Sequence, residues 1–224
     1  MMDETRLRIP TIPGTECDAR AGRKVSPTRF VNTPDQMMNE TIELLLTRRS
    51  VPPRLLSAPA PTPEQVTTLL TIAARVPDHG RAVPWRFIVF SREGAARLGE
   101  TIAAVYSEAH PEAPEAAMET ERGRLLRAPL VIAVVSATHE HPKAPEWEQI
   151  LSAGAAAMSL VIAANAMGFS ANWHTEWYAY NRTVLAELGL ADTERIAGFI
   201  HIGTAGERPP DRARPSLDEI VTHY

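Results

Sequence analysis

The sequence predicts an α+β fold, a sheet with helices on both faces, in which two helix pairs interrupt strict strand and helix alternation. Three observations carry this. Pro129-Leu130-Val131-Ile132-Ala133-Val134-Val135 and the run from Ile196 to Thr204 are continuous, largely apolar stretches of strand length, as central strands are. Trp85-Arg86-Phe87-Ile88-Val89-Phe90 alternates and is rich in aromatic and branched residues, as a strand should be. Between Ile150 and Phe169 there is no charged residue, so the helix predicted there is apolar all round and must be covered on every side.

The elements follow in order. Residues 1–32 mix Pro10, Pro13, Gly14, Gly22 and Pro27 with Arg6, Arg8, Arg20, Arg23, Lys24 and Arg29 without periodicity, and read as an extended or disordered arm before a domain over 33–224. Thr33-Pro34-Asp35 has the form of an N-cap with proline at the first helical position. Met37, Met38, Ile42, Leu45 and Leu46 then recur at helical spacing, predicting a helix to about Arg48. Pro52-Pro53 ends it. Thr62-Pro63 starts a second helix whose buried face is Val66, Leu69, Leu70, Ala73 and Ala74, stopping near Arg75 before Pro77. After the strand at Trp85, Ala95 to Ala109 and Glu115 to Leu126 are helical by pattern. The long apolar helix follows the second strand, then an extended segment from Ser170 to Thr175, a helix from Arg182 to Leu190, the last strand, and a polar, proline-rich tail.

A helix apolar all round is either a membrane span or the buried centre of a larger or oligomeric protein. Glu146 and Glu148 at its start, where a basic cluster would be wanted, and alanines that contribute little insertion free energy favour the second. Its small residues let another backbone approach, and in an oligomer of this chain Ala156 and Ala157 would meet a symmetry mate. The opening MMDETRLRIP has no continuous apolar core, so no secretory signal is read.

Apolar content of 44% and charged content of 22% are ordinary for a globular protein. A net charge of −4, without clustered Lys and Arg in the main body, argues against a nucleic-acid partner. The single Cys17 excludes an internal disulfide and a cysteine metal cluster, and a reducing cytoplasm is the natural setting. No G-x-G-x-x-G follows a strand, and neither G-x-x-x-x-G-K-[ST] nor G-x-S-x-G occurs. His139-x-His141 has no partner at a recognisable ligand spacing, so a solvated loop is preferred to a metal site.

What remains is a set of cationic and hydrogen-bonding residues just beyond element ends: Arg48, Arg49 and Ser50; Arg75 and His79; Trp173, His174 and Thr175; Gly203, Thr204 and Arg208. Guanidinium forks for phosphate, amides for carbonyl edges and an aromatic wall for a ring would suit an anionic, planar ligand. Each also has a plainer reading. Arg48 and Arg75 would complement helix dipoles, His79 would cap a turn, and Trp173 would be core. Periodicity does not choose between them.

LLLTRRS at 44–50, RVPDHGRAVPWRFIV at 75–89, RAPLVIAVV at 127–135, WEQILSAGAAAMSLVIAANAMGF at 147–169, W-H-T at 173–175 and GFIHIGT at 198–204 together resemble the FMN-dependent nitroreductase family. More narrowly, they resemble its compact bacterial NAD(P)H nitroreductase subgroup. The likeness spans roughly 38–224 and leaves out the arm. It implies a central mixed sheet flanked by helices in an intertwined homodimer, with FMN at the subunit interface and NADH or NADPH as co-substrate. By the resemblance, Arg48, Arg49 and Ser50 grip the flavin phosphate and ribityl chain, and the other subunit contributes Arg75 and His79. Trp173, His174 and Thr175 lie along the ring, while Gly203, Thr204 and Arg208 approach the phosphate. The segment Ala164, Asn165, Ala166, Met167, Gly168 and Phe169 matches one proposed to meet the nicotinamide. Arg81-Ala82-Val83-Pro84-Trp85 departs from the N-x-Q-P-W of many relatives, and His174 stands where the closest pattern has arginine.

The implied activity is two-step hydride transfer from NAD(P)H through FMN to a nitroaromatic, quinone or similar small-molecule electron acceptor. No side chain is assigned as general acid or base, and no metal, nucleic acid or membrane partner is expected. Because fold does not fix function, another FMN reaction on this scaffold or a non-catalytic flavin-binding protein stands as the alternative.

Overall fold

The computed structural model describes residues 39–224; the arm, Cys17, the Thr33-Pro34-Asp35 cap, Met37 and Met38 lie outside the described residues. Helix α1 (Glu40–Thr47) starts where the Asn39 side chain accepts the Ile42 N–H at 2.9 Å. A two-residue strand, β1 (Leu56–Ser57), precedes α2 (Pro63–Ala73). A capping box sets the start of α2: the Thr62 hydroxyl accepts the Gln65 N–H while the Gln65 side chain accepts the Thr62 N–H.

Strand β2 (Trp85–Phe90) leads into α3 (Arg92–Ala109) and α4 (Glu115–Arg122). The helix expected to reach Leu126 breaks at Gly123, after which Arg124–Leu126 form a 3-10 turn. Then come β3 (Leu130–Ser136), α5 (Glu146–Ala166), β4 (Ser170–His174), α6 (Arg182–Glu187), β5 (Arg195–Ala205) and α7 (Leu217–Ile220).

Strand β5 is the axis of the sheet. His201 lies opposite Val131 of β3 on one edge and Asn172 of β4 on the other, β2 pairs the far edge of β3, and β1 pairs the end of β5. Every described pairing is antiparallel, so among the described residues the sheet is antiparallel rather than mixed. The reason is topological. β3 and β4, joined through α5, run parallel to each other, but the returning β5 inserts between them.

Alternation along β3 divides the core. Leu130, Ile132 and Val134 face α2 and α5, whereas Val131, Ala133 and Val135 face α3 and α6. Helix α5 is the core helix of the first face: Ala153, Ala156, Ala157, Leu160, Val161 and Ala164 are buried. The buried Gln149 amide donates to the His139 and Ala144 carbonyls at 2.8 Å and accepts the His139 N–H, pinning the preceding loop to this helix.

The faces of α5 correct one expectation. Ala156 and Ala157 are fully buried against the chain's own sheet. The outward stripe is Trp147, Ile150, Leu151, Gly154, Ala155, Met158 and Ile162, with Trp147 68% and Leu151 53% exposed. Alanine is small and apolar on either side, so periodicity could not tell the two faces apart. With a mean hydropathy of 1.5 the helix is long and apolar enough to cross a membrane, yet one side of it is packed on the sheet.

Candidate functional site

The predicted residues separate into groups along α5. At its C-terminal end, the Val51 N–H donates to the Ala171 carbonyl (3.2 Å) and the Asn172 amide to the Val51 carbonyl (2.9 Å), which seats Arg48, Arg49 and Ser50 against β4. Arg48 is the C-cap of α1. Arg49 Nε donates to the Pro210 carbonyl at 3.1 Å and lies 3.5 Å from Asp211. Arg208 reaches the Thr47 hydroxyl at 3.4 Å, and Arg214 pairs with Asp211 at 3.4 Å. Burial, then the charges of Arg214, Arg49, Arg208 and Arg212, lower the pKa of Arg48. Arg49, Arg208, Arg212 and Arg214 thus lie near Arg48, and Asp211, which pairs with Arg49 and Arg214, is the only carboxylate that pairs with any of the five among the described residues. Arg212 and Arg214 were not singled out from the sequence; their only signal was the D-R-A-R run at 211–214, distant from 48–50 along the chain.

Gly203 pairs with Ser170 at this end, and a Cβ there would come within 2.8 Å of the Pro129 ring and 2.9 Å of the Ser57 carbonyl. The Thr204 hydroxyl donates to the Pro59 carbonyl at 3.0 Å. The segment Ala164 to Phe169 ends α5 in a Schellman motif: the Phe169 N–H bonds to the Ala164 carbonyl, the Gly168 N–H bonds to the Asn165 carbonyl, and Gly168 has φ +83°. Ala164 is buried, Met167 packs on the core and Ala166 is exposed. Helix termination thus accounts for much of the A-x-A-x-G-F pattern. Asn165, Gly168 and Phe169 also line a cleft of ≈ 380 Å³ with Glu43, Thr47 and Arg208.

Arg75 and His79 lie elsewhere. His79 Nδ1 is 2.6 Å from a Glu148 carboxylate oxygen in the first turn of α5, and exposed Arg75 has no ion pair among the described residues. Ser152 ties this loop to the helix, its hydroxyl donating to the Pro77 carbonyl (2.7 Å) and accepting from the Trp85 indole (3.1 Å). Arg81 and Val83 have φ of 58° and 48°, strain on the order of 1–3 kcal/mol each. Both oxygens of Asp78 accept the Val83 N–H, at 3.1 and 3.0 Å, and hold that turn. At a rise of about 1.5 Å per residue, Glu148 stands about 25 Å from Asn165 along α5. One chain does not bring Arg75 and His79 to the arginine cluster.

At the end of β4, the Trp173 indole covers Gly198, donates to the Ala197 carbonyl at 2.9 Å, and walls a pocket of ≈ 320 Å³ with Ile150, Gly154 and Ile196. His174 turns to the other face of the sheet, where its ring meets His201 at 5.8 Å. Thr175 is exposed. Beneath His174 is a network not foreseen from the sequence: Glu176 pairs with Arg127 (2.6 Å) and Arg124 (3.3 Å), and Arg124 continues to Glu121 (2.5 Å). Desolvation raises the carboxyl pKa of Glu176, but Arg127 and its neighbours outweigh it and hold the group below its ordinary value. His141 Nδ1 accepts the Lys143 and Ala144 N–H groups, so its proton sits on Nε2 and that nitrogen has no lone pair for a metal. No group of three candidate metal ligands occurs among the described residues.

An α+β fold with a guanidinium cluster at one end of its core helix and an indole-walled pocket nearer the other is equipped for an anionic, aromatic ligand. The sequence profile of the Nitroreductase family matches residues 45–204, and the chain belongs to that family. The relative YdjA of Escherichia coli (strain K12), which bears an NAD(P)H nitroreductase name, is 36% identical over 165 residues, 74% of this chain and 88% of its own. A nitroreductase-like family protein from Bacillus cereus has the same fold, with a TM-score of 0.72 at 23% identity over 84% of this chain and 98% of that one. A nitroreductase of Desulfovibrio desulfuricans in complex with FMN aligns with a TM-score of 0.64 at 21% identity, over 84% and 98%.

Proposed function

We propose that the chain is an FMN-dependent NAD(P)H oxidoreductase that works as a homodimer and passes electrons to nitroaromatic, quinone or similar acceptors. One observation carries this reading. The predicted site residues divide between the two ends of α5, and the face of α5 between them is bare and apolar. A second copy laid antiparallel on that stripe buries the same patch from both subunits. It also brings Arg75 and His79 of one copy toward Arg48, Arg49 and Ser50 of the other. The name of the E. coli relative and the FMN of the D. desulfuricans structure support the cofactor and co-substrate.

The residues present fit FMN. Guanidinium forks match phosphate bidentately, and the excess of cations over carboxylate at Arg48, Arg49 and Arg208 calls for an anion. Ser50 follows for the ribityl chain, Gly203 and Thr204 border the phosphate end, and Trp173 with exposed Thr175 offers the ring-facing wall, His174 being turned to the opposite face of the sheet. Ala164 to Phe169, through Asn165, Gly168 and Phe169, is the segment offered to the nicotinamide. When bound, FMN would supply the redox chemistry, a two-step hydride transfer from NAD(P)H to the acceptor. The chain's own part is to orient both partners and exclude water, with the Arg75 guanidinium and the His79 imidazole of the second copy offered to the ring as a cation and a hydrogen-bonding group. On this reading residues 33–224 carry the FMN-binding domain, and the cytoplasm is the compartment.

An anaerobic titration of FMN-loaded protein with NADPH tests this. The flavin absorbance should bleach stoichiometrically and return on addition of a nitroarene or quinone, with the protein sedimenting as a dimer. Protein that stays colourless after incubation with FMN overturns the reading.

A further inference from the structure

We propose that Glu148 is a positioning residue for cofactor recognition: it accepts the Nδ1 proton of His79 and so presents the free Nε2 lone pair of that imidazole to a hydrogen-bond donor on the flavin held by the second copy. The proposal rests on the FMN reading above and adds to it the group that sets how His79 is offered.

The carboxylate decides where the proton sits. His79 Nδ1 lies 2.6 Å from Glu148 Oε2, and an ionised carboxylate only accepts hydrogen bonds. The proton of the neutral ring is therefore on Nδ1, which leaves Nε2 with a lone pair and no partner among the described residues. An imidazole without such an acceptor favours the opposite tautomer, in which Nε2 would turn an N–H toward the same flavin donor. Glu148 thus determines whether His79 accepts or donates at its outer nitrogen.

Both side chains are about half exposed, 54% and 46%, so the pair adds little to stability. What it sets is orientation, because both partners are held from elsewhere. Glu148 stands in the first turn of α5, where a negative charge suits the helix dipole. On the other side of the loop, Gly80 (φ +68°) packs so closely on the His141 ring that a Cβ there would come within 2.6 Å of it. His141 is itself tied through Nδ1 to the Lys143 and Ala144 N–H groups. With Ser152 bonded to the Pro77 carbonyl and Asp78 closing onto the Val83 N–H, the loop is clamped before and after His79, and its ring stays over the carboxylate. Two donors of FMN share the chemistry that a bare Nε2 would recognise: the imide N–H of the ring and the hydroxyls of the ribityl chain.

Nitrogen NMR of the full chain, at a pH where the imidazole is neutral, reads the tautomer of His79, and flavin fluorescence reads the FMN dissociation constant. The native protein should show the Nδ1–H form. Glu148→Ala should turn His79 to the Nε2–H form and weaken FMN roughly fivefold or more at unchanged dimer mass, the loss expected for one hydrogen bond. Glu148→Gln, whose amide oxygen still accepts from Nδ1, should keep both near native. FMN methylated at the imide nitrogen separates the two donors: equal affinity of the native and Glu148→Ala proteins for it assigns the imide, and a persisting difference assigns the ribityl hydroxyls. An Nε2–H ring in the native protein, unchanged FMN affinity in Glu148→Ala, or loss of FMN only together with the dimer overturns the role of Glu148. Failure of the native protein to take up FMN is a separate result that strikes the reading beneath it, since the tautomer is measured without the cofactor.

Discussion

The imidazole of His201 stands edge to face with that of His174, ring centroids 5.8 Å apart, with both nitrogens of His201 and Nδ1 of His174 buried and without a hydrogen-bond partner. Burial, reinforced by Arg127 and His174 and opposed by Glu176, holds the His201 pKa down to about 3. Burial likewise lowers that of His174, with Glu176 opposing it and Arg127 and Arg124 adding to it.

A pH dependence of stability follows. Between an ordinary histidine pKa of about 6.5 and the folded value of about 3, the unfolded chain binds a proton at residue 201 that the native chain does not. Stability from this residue is therefore complete above about pH 6.5 and falls as pH drops below it, by about 2 kcal/mol between pH 7.5 and pH 5. Denaturant unfolding across that range should show the slope in the native chain and a shallower one in His201→Phe. Identical slopes would remove His201 as the cause.

Gly198 and Trp173 make a second test. A Cβ at 198 would sit 2.0 Å from Trp173 Nε1, so Gly198→Ala must push the indole off its seat and away from the Ala197 carbonyl. The cost should be about 1–3 kcal/mol, typical of overpacking. In a Trp173→Ala background the same substitution should cost little, because the atom it meets is gone. An equal cost in both backgrounds would mean that strand backbone, not the indole, excludes a side chain there.

Local signals made most of the fold readable. The Thr62-Pro63 cap with apolar residues at 66, 69, 70 and 73 gives α2 almost to the residue, and the alternation of Trp85 to Phe90 gives β2. What escaped was short or non-local. β1 has only two residues, too few for a period, and α7 has only four, so its Ser216 to Glu219 capping box stands without an apolar pattern behind it. The insertion of β5 between β3 and β4 leaves no mark on either strand. The site was legible as separate motifs, and only resemblance joined them. The Glu121, Arg124, Arg127 and Glu176 network comes from segments with no fixed spacing, and the division of the site along α5 depends on tertiary distance.

The two faces of α5 allow the proposed assembly and the folding of the subunit to be tested apart. Leu151 lies on the bare stripe, so Leu151→Asp should leave the unfolding free energy of the monomer within about 0.5 kcal/mol, as surface substitutions usually do. It should shift sedimentation toward monomer and, if the second copy supplies Arg75 and His79, weaken FMN binding in parallel. Ala157 lies against the sheet with no exposed surface, so Ala157→Leu should destabilise the subunit itself by about 1–3 kcal/mol at any protein concentration. A Leu151→Asp protein that remains dimeric with its flavin in place would show that this stripe is not where the two copies meet.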